Sequence, residues 1–171
     1  MSRVVPSDAA WPERFEAERA LLEPVLAPWL AGGIHHVGST AVPGLAAKPV
    51  IDMLAGVSDL EAARAAFEPL ARAGYSYRVH RPEAHAFRKR DGTCHLHLTE
   101  PGSDLWRERL AFRDALRGSA ELRREYEAWK LANASADGDP GPYRASKTAF
   151  VARVLVESGI ELKPDAERLA R

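Results

Sequence analysis

The stretch from His36 to Leu54 constrains this chain more than any other. An apolar run, Ile34 to Val37, stops at Gly38-Ser39. A loop bounded by Pro43, Gly44 and Pro49 follows, and a second apolar run, Val50 to Val57, carries a single acid, Asp52. Short apolar runs punctuated by Gly and Pro read as strands, so the pattern is strand, Gly-Ser turn, strand with an acid. Gly38 lets a phosphate approach the backbone, and Ser39 and Thr40 add hydroxyl donors. A carboxylate within a buried strand must face a metal, a cation or a hydrogen-bond donor, because left bare it is too costly. The alternative is a tight turn plus an aspartate that caps a neighbouring loop. The loop is not a Walker A loop: Lys48 does not follow a glycine, and Pro49 stands where Ser or Thr belongs.

The same stretch, HVGSTAVPGLAAKPVIDML, resembles the signature of the GrpB family, bacterial proteins grouped with the nucleotidyltransferase superfamily and its polymerase-β-like fold. The resemblance continues through HLHL, LAFRDALR, EYEAWK and YRASKTAF, and so spans nearly the whole chain. It implies a phosphate-holding Gly-Ser loop. In nucleotidyltransferases generally, two acids spaced Asp-x-Asp bind paired divalent metals, and a third acid on a later strand activates the acceptor hydroxyl. Gly38, Ser39 and Asp52 match that scheme, but Leu54 occupies the second acidic position. One carboxylate can share a single Mg²⁺ with nucleotide phosphates; it cannot alone hold two ions.

A chain of 171 residues with a single cysteine, Cys94, and a formal net charge of +0 reads as one domain without an internal disulfide. Nothing in that balance points to a nucleic acid or a membrane surface, and no apolar run is long enough to cross a bilayer. The expectation is a cytoplasmic single domain, 1–171, with mobile ends at 1–10 and 162–171. Pro12 suits the first turn of a helix whose Phe15, Leu22, Leu26 and Trp29 recur at helical spacing, with Pro24 and Pro28 implying a break or a tightened final turn. Pro43 to Ala47 reads as one helical turn. Ser58-Asp59-Leu60-Glu61 has the form of a capping box opening a helix that ends at Gly74. Antiparallel strands are expected over 75–80, 85–90 and 94–99, then helices over 104–117, 119–133 and 142–159, with a surface loop at 137–142. The fold class is α/β: a mixed, largely antiparallel sheet of about five strands packed with helices, plus a three-helix C-terminal segment.

Strand alternation puts His95, His97 and Thr99 on one face and Cys94, Leu96 and Leu98 on the core face. Two imidazoles near Asp52 suggest a site for Mn²⁺, Fe²⁺ or Zn²⁺, or else groups that hydrogen-bond a phosphate. His36, beside the Gly-Ser loop, is read as positioning that loop. Arg113 (with Arg109), Lys130 and Lys147 lie within or at the edge of the apolar stripes of their helices, where a cation needs a partner. Either they converge on an anion such as a polyphosphate, or Arg113 pairs with Asp52, Glu125 or another acid. The candidate sites are therefore Asp52 and His97 for catalysis, and Asp52, His95 and His97 for Mg²⁺ or Mn²⁺. Gly38, Ser39, Thr40, Lys48, Arg113, Lys130 and Lys147 are the candidates for phosphate. The expected function is metal-dependent binding of a nucleoside triphosphate with nucleotidyl transfer to a small acceptor. A non-catalytic phosphate-binding module and an Asp52/His95/His97 hydrolase are the alternatives.

Overall fold

The structure is a computed structural model that describes residues 4–133 and 140–162. Five strands form one mixed sheet in the order β1 (Leu30–Val37), β2 (Ile51–Val57), β5 (Cys94–Thr99), β4 (His85–Lys89), β3 (Tyr75–Arg78). All neighbours are antiparallel except β2 and β5, which run parallel with Asp52 opposite His95 and Leu54 opposite His97. The alternation that marks β5 in the sequence sets its two faces. Leu96 and Leu98 join Met53, Ala55 and Val57 in the main core, beneath the helix α1 (Trp11–Leu26). The opposite face carries Asp52, His95 and His97 toward the C-terminal helices α3 (Asp104–Gly118), α4 (Ala120–Asn133) and α5 (Pro140–Glu157).

Several local expectations are corrected. Of the break and the tightened turn allowed at the end of α1, the turn is what forms, with Trp29 N–H on the Leu26 carbonyl at 2.9 Å, while Pro24 lies inside the last helical turn and the carbonyl it fails to satisfy belongs to the exposed Ala20. The helical turn of the loop is a 3₁₀ turn at Ser39–Ala41, not at Pro43–Ala47. Pro43-Gly44 instead occupies the centre of a β-turn closed by Leu45 N–H to the Val42 carbonyl, with Gly44 at φ 78°. The capping box does not form, because Asp59 Oδ1, not Ser58, accepts the free amide of Ala62. The segment it starts is 3₁₀ over Ala62–Ala66 before the short α2 (Phe67–Arg72). Pro69 explains this, since an α-helix running from 58 would lack the amide at 69. Val5 exchanges both backbone hydrogen bonds with Ala47, so part of the terminal segment expected to be mobile is paired. Residues 1–3, 134–139 and 163–171 lie outside the described residues, and the second half of the loop expected at 137–142 is instead the start of α5, two residues before the expected helix start.

Ser103 caps α3 by accepting the amide of Trp106, and the indole packs on two glycines facing it from β1 and β2. A Cβ on Gly32 would stand 2.8 Å from the Trp106 ring, and one on Gly56 2.9 Å. This close seat brings α3 down on the sheet. A second core of Val42, Leu45, Leu116, Tyr126, Phe150 and Val154 joins the three C-terminal helices to the Gly-Ser loop. Among the described residues no helix is long and apolar enough to cross a membrane.

Candidate functional site

Gly38 stands at φ 74°, ψ −173°, a backbone region that only glycine enters cheaply. A Cβ there would lie 2.5 Å from Asp52 Oδ2, so the turn and the acid are packed as one unit. The next residues divide. Ser39 is half-buried with a free hydroxyl among the described residues. The hydroxyl of Thr40 is used internally: it donates to the Val50 carbonyl at 3.0 Å and accepts from His36 Nε2 at 3.0 Å. His36 stacks on Phe15 and is buried. Burial first, then Arg117, lowers its pKa to about 4, so it stays neutral. It positions the loop.

Asp52 Oδ1 accepts a 3.0 Å hydrogen bond from His95 Nδ1. Burial alone would raise the pKa of Asp52, but the His95 bond and the nearby Arg109 outweigh it and hold the acid ionised. His97 does not join this pair. Its Nδ1 is buried without a hydrogen-bond partner, its ring lies 4.8 Å from that of His80, and burial followed by Arg109 lowers its pKa to about 3. At the second acidic position Leu54 is fully buried. Asp52 Oδ1 is taken by His95 and Oδ2 abuts Gly38. Among the described residues no group of three His, Cys, Asp or Glu gathers at metal-binding spacing. The donor set therefore does not fit a two-metal centre, nor does it draw Asp52, His95 and His97 into a three-ligand site.

The inward-facing cations split into two groups. Arg113 donates to the His36 carbonyl at 3.2 Å and pairs with Asp114 at 2.7 Å, so the acid it meets is neither Asp52 nor Glu125 but the other acid that the ion-pair alternative allowed. Lys130 donates to the Ala46 carbonyl and lies over the Tyr126 ring; burial is the main cause that lowers its pKa to about 8. Arg117, which donates to the Ala41 carbonyl at 2.9 Å, and Glu127, which accepts the Ala46 amide at 2.9 Å, complete the clamp. These side chains hold the Gly-Ser loop by its backbone. Arg109, Lys147 and Lys48 form the other group: none makes a hydrogen bond or ion-pair contact among the described residues. Arg109 is half-buried. Lys147 is open to the cleft, yet burial of its ammonium among the cleft walls, then Arg109, lowers its pKa.

Ser39, Asp52, Arg109, Tyr126 and Lys147 form a wall shared by two lobes of one cleft. One lobe, about 270 Å³, adds Phe112, Val151 and the Arg81–Glu108 pair, which meets at 3.0 Å. The other, about 340 Å³, adds Thr40, Lys48, His95, His97 and Lys130. Of the residues expected from sequence, the cleft brings together Gly38, Ser39, Asp52 and Lys147, with Thr40, Lys48, His95, His97 and Lys130 in the second lobe. Arg113 lines neither. Arg109 is the residue that sequence reasoning noticed but left out of the phosphate set. It lies one helical turn before Arg113 on the same face, and that turn carries it past the loop to the cleft.

Residues 2–157 match the family described as GrpB protein. A UPF0157 protein of Deinococcus radiodurans is 36% identical over 91% of this chain and 81% of its own length. A dephospho-CoA kinase of Mycolicibacterium paratuberculosis is 32% identical over 85% of this chain, which spans only 43% of that longer protein. The crystal structure of the conserved protein GrpB from Enterococcus faecalis superimposes with a TM-score of 0.81 at 31% identity, covering 91% of this chain and 96% of the other. The fold extends further. The GLD-2/RNP-8 complex matches at TM-score 0.56 and 13% identity, over 79% of this chain and 48% of that one. A cytoplasmic RNA terminal U-transferase matches at 0.53 and 16%, over 82% and 44%. The sheet and its helices thus have the polymerase-β-like nucleotidyltransferase fold, and the chain belongs to the GrpB protein family.

Proposed function

We propose that this chain binds a nucleotide by its phosphates in the cleft between the sheet and helices α3 and α5. The observation that carries the reading is the pair Arg109 and Lys147. Both face the Gly38-Ser39 turn across one cleft, and neither is spent on a hydrogen bond or ion pair among the described residues. A half-buried guanidinium without a partner is costly, and a phosphate accepting its fork repays that cost. Ser39 adds a hydroxyl, while Phe112, Tyr126 and Val151 offer an apolar wall for the base or sugar. The similarity to a protein named for phosphorylating dephospho-CoA, itself a nucleotide with a pyrophosphate bridge, agrees with a nucleotide ligand. No divalent metal enters this reading.

A second reading, transfer of a nucleotidyl group to a small acceptor, is favoured by the second lobe, which opens on the same phosphate wall and leaves room for a second reactant. Thermal shift with each common nucleoside triphosphate, with and without Mg²⁺ or Mn²⁺, tests the binding reading. One of them should raise the melting temperature, and Arg109→Gln should weaken its binding by about tenfold or more, as loss of a charge-assisted bond does. Asp52→Asn separates the roles of the acid. With no metal in the cleft, removing this anion tightens nucleotide binding; if the acid acted through Mg²⁺, binding would weaken. No shift with any triphosphate at millimolar concentration sinks the proposal. Pyrophosphate release would then distinguish transfer from binding alone.

A further inference from the structure

We infer that the second lobe is a separate subsite for a phosphomonoester, so that the partner substrate meets the nucleotide through a phosphate oxygen and not through a hydroxyl. This rests on the nucleotide reading above. The two lobes share the wall of Ser39, Asp52, Arg109, Tyr126 and Lys147 but differ in what they add to it. The first adds aromatic and aliphatic surface and a cation already paired, Arg81 with Glu108. Among the described residues the second adds Lys48 and Lys130, the latter already donating to the Ala46 carbonyl, so that three uncommitted cations, Lys48, Arg109 and Lys147, stand against the one carboxylate of Asp52. That carboxylate is already hydrogen-bonded to His95. A lobe with this balance attracts an anion and repels nothing but a cation.

The strand beside Asp52 makes the same point. An acceptor hydroxyl would need a base near its attacking oxygen, whereas an acceptor phosphate would not. Here the residues facing Asp52 and Leu54 across the parallel pairing are His95 and His97. His95 Nδ1 is spent on Asp52, and His97 is neutral and buried at Nδ1. Among the described residues no carboxylate other than Asp52 lines the lobe. A phosphomonoester is already ionised near neutral pH and needs no base, so the histidines are compatible with it where an acid would repel it. In the transfer reading, one of its oxygens forms a bond to the α-phosphorus as the bond from that phosphorus to the bridging oxygen breaks. The electron pair leaves with pyrophosphate, no proton changes hands, and the product is a pyrophosphate-linked conjugate.

The test uses the full chain saturated with α,β-methylene ATP, or with the same analogue of whichever triphosphate binds. Glycerol 3-phosphate and glycerol are then titrated separately and followed by calorimetry. The expected result is that glycerol 3-phosphate binds the nucleotide-saturated protein, that glycerol does not, and that Lys48→Ala weakens the phosphomonoester about fivefold, the ratio equivalent to one hydrogen bond. The Lys48 side chain is exposed and makes no hydrogen bond or ion pair among the described residues, so this variant folds. Displacement of the nucleotide by glycerol 3-phosphate would mean that one ligand fills both lobes, and would overturn the inference while leaving the nucleotide reading intact. So would equal binding of glycerol, or a Lys48→Ala variant that binds the phosphomonoester unchanged. Failure of every triphosphate to bind removes the reading and the inference together.

Discussion

Replacing Gly38 by alanine is the sharpest perturbation of the site, because two separable penalties meet at that residue. The first is conformational. At φ 74° and ψ −173° any Cβ is strained, at about 1–3 kcal/mol. The second is steric: the new carbon would stand 2.5 Å from Asp52 Oδ2 and 3.1 Å from both Cγ and Cβ of the same residue. Contact at 2.5 Å is short of ordinary van der Waals separation by roughly 1 Å, so Asp52 must turn. Turning it costs about 0.5–1.5 kcal/mol off-rotamer and strains or breaks the bond from His95, worth about 1.5–3 kcal/mol as a charge-assisted contact. The single variant should therefore lose about 3–7 kcal/mol in urea unfolding. In an Asp52→Ala background the Oδ2 and Cγ contacts are gone and only the backbone strain and the Cβ contact remain. Gly38→Ala should then cost about 1–3 kcal/mol, a coupling of about 2–4 kcal/mol between the two positions. If the double-mutant cycle closes additively to within about 0.5 kcal/mol, Asp52 is not packed against the turn and the argument that the two form one unit fails.

Two further outcomes follow from buried polar groups. His36 and His97 have folded pKa values lowered to about 4 and about 3, below the roughly 6.5 of an unfolded histidine. The unfolded chain therefore binds protons that the folded chain refuses, and stability falls as pH drops from about 6.5, by about 1.4 kcal/mol per pH unit for each histidine. Unfolding at pH 7, 6 and 5 measures that slope, and His97→Gln should remove about half of the contribution of the pair; a flat wild-type profile over this window would contradict the burial assigned to both rings. On the other face of the sheet, Glu18 is buried and accepts from the Tyr75 hydroxyl at 2.7 Å and from Lys89 Nζ at 2.5 Å, tying α1 to β3 and β4. Glu18→Ala strands both donors and should cost about 3 kcal/mol, seen as a fall in melting temperature of roughly 6–12 °C; a fall below about 2 °C would show the network to be idle.

Much of this architecture is legible in the residues. Strand β5 matches its expected span because Cys94, Leu96 and Leu98 alternate with His95, His97 and Thr99, and burial of one set fixes the face of the other. The Gly-Ser turn and the acid were recognisable as neighbours in sequence, and the fold packs them against each other. What the sequence could not reveal was how the inward cations would be used. Helical spacing says that Arg109, Arg113, Lys130 and Lys147 face inward, but it says nothing of their acceptors. Arg113 and Lys130 find backbone carbonyls, of His36 and Ala46, and every residue carries a carbonyl, so no pattern of side chains marks those partners. The contact between Asp52 and His95 was equally hidden, since it depends on the parallel register of β2 and β5 across 43 positions.

That division of the cations is itself the strongest physical argument about the site. Arg113, Arg117 and Lys130 hold the loop by its carbonyls from three directions, so the turn at Gly38-Ser39 is fixed before any ligand arrives, and ordering it costs a ligand little. Cations that serve a rigid loop are lost to a ligand; around the same loop the half-buried Arg109 has no partner among the described residues and carries a desolvation cost, while Lys147 stays open to the cleft. Arg109 and Lys147 are the pair left over, on two different helices, aimed at one turn. A merely structural ion-pair network would have matched them with acids, but of the acids that line the first lobe among the described residues Asp52 is bonded to His95 and Glu108 to Arg81. The imbalance therefore belongs to the cleft and not to the fold, and an anion bound there completes it.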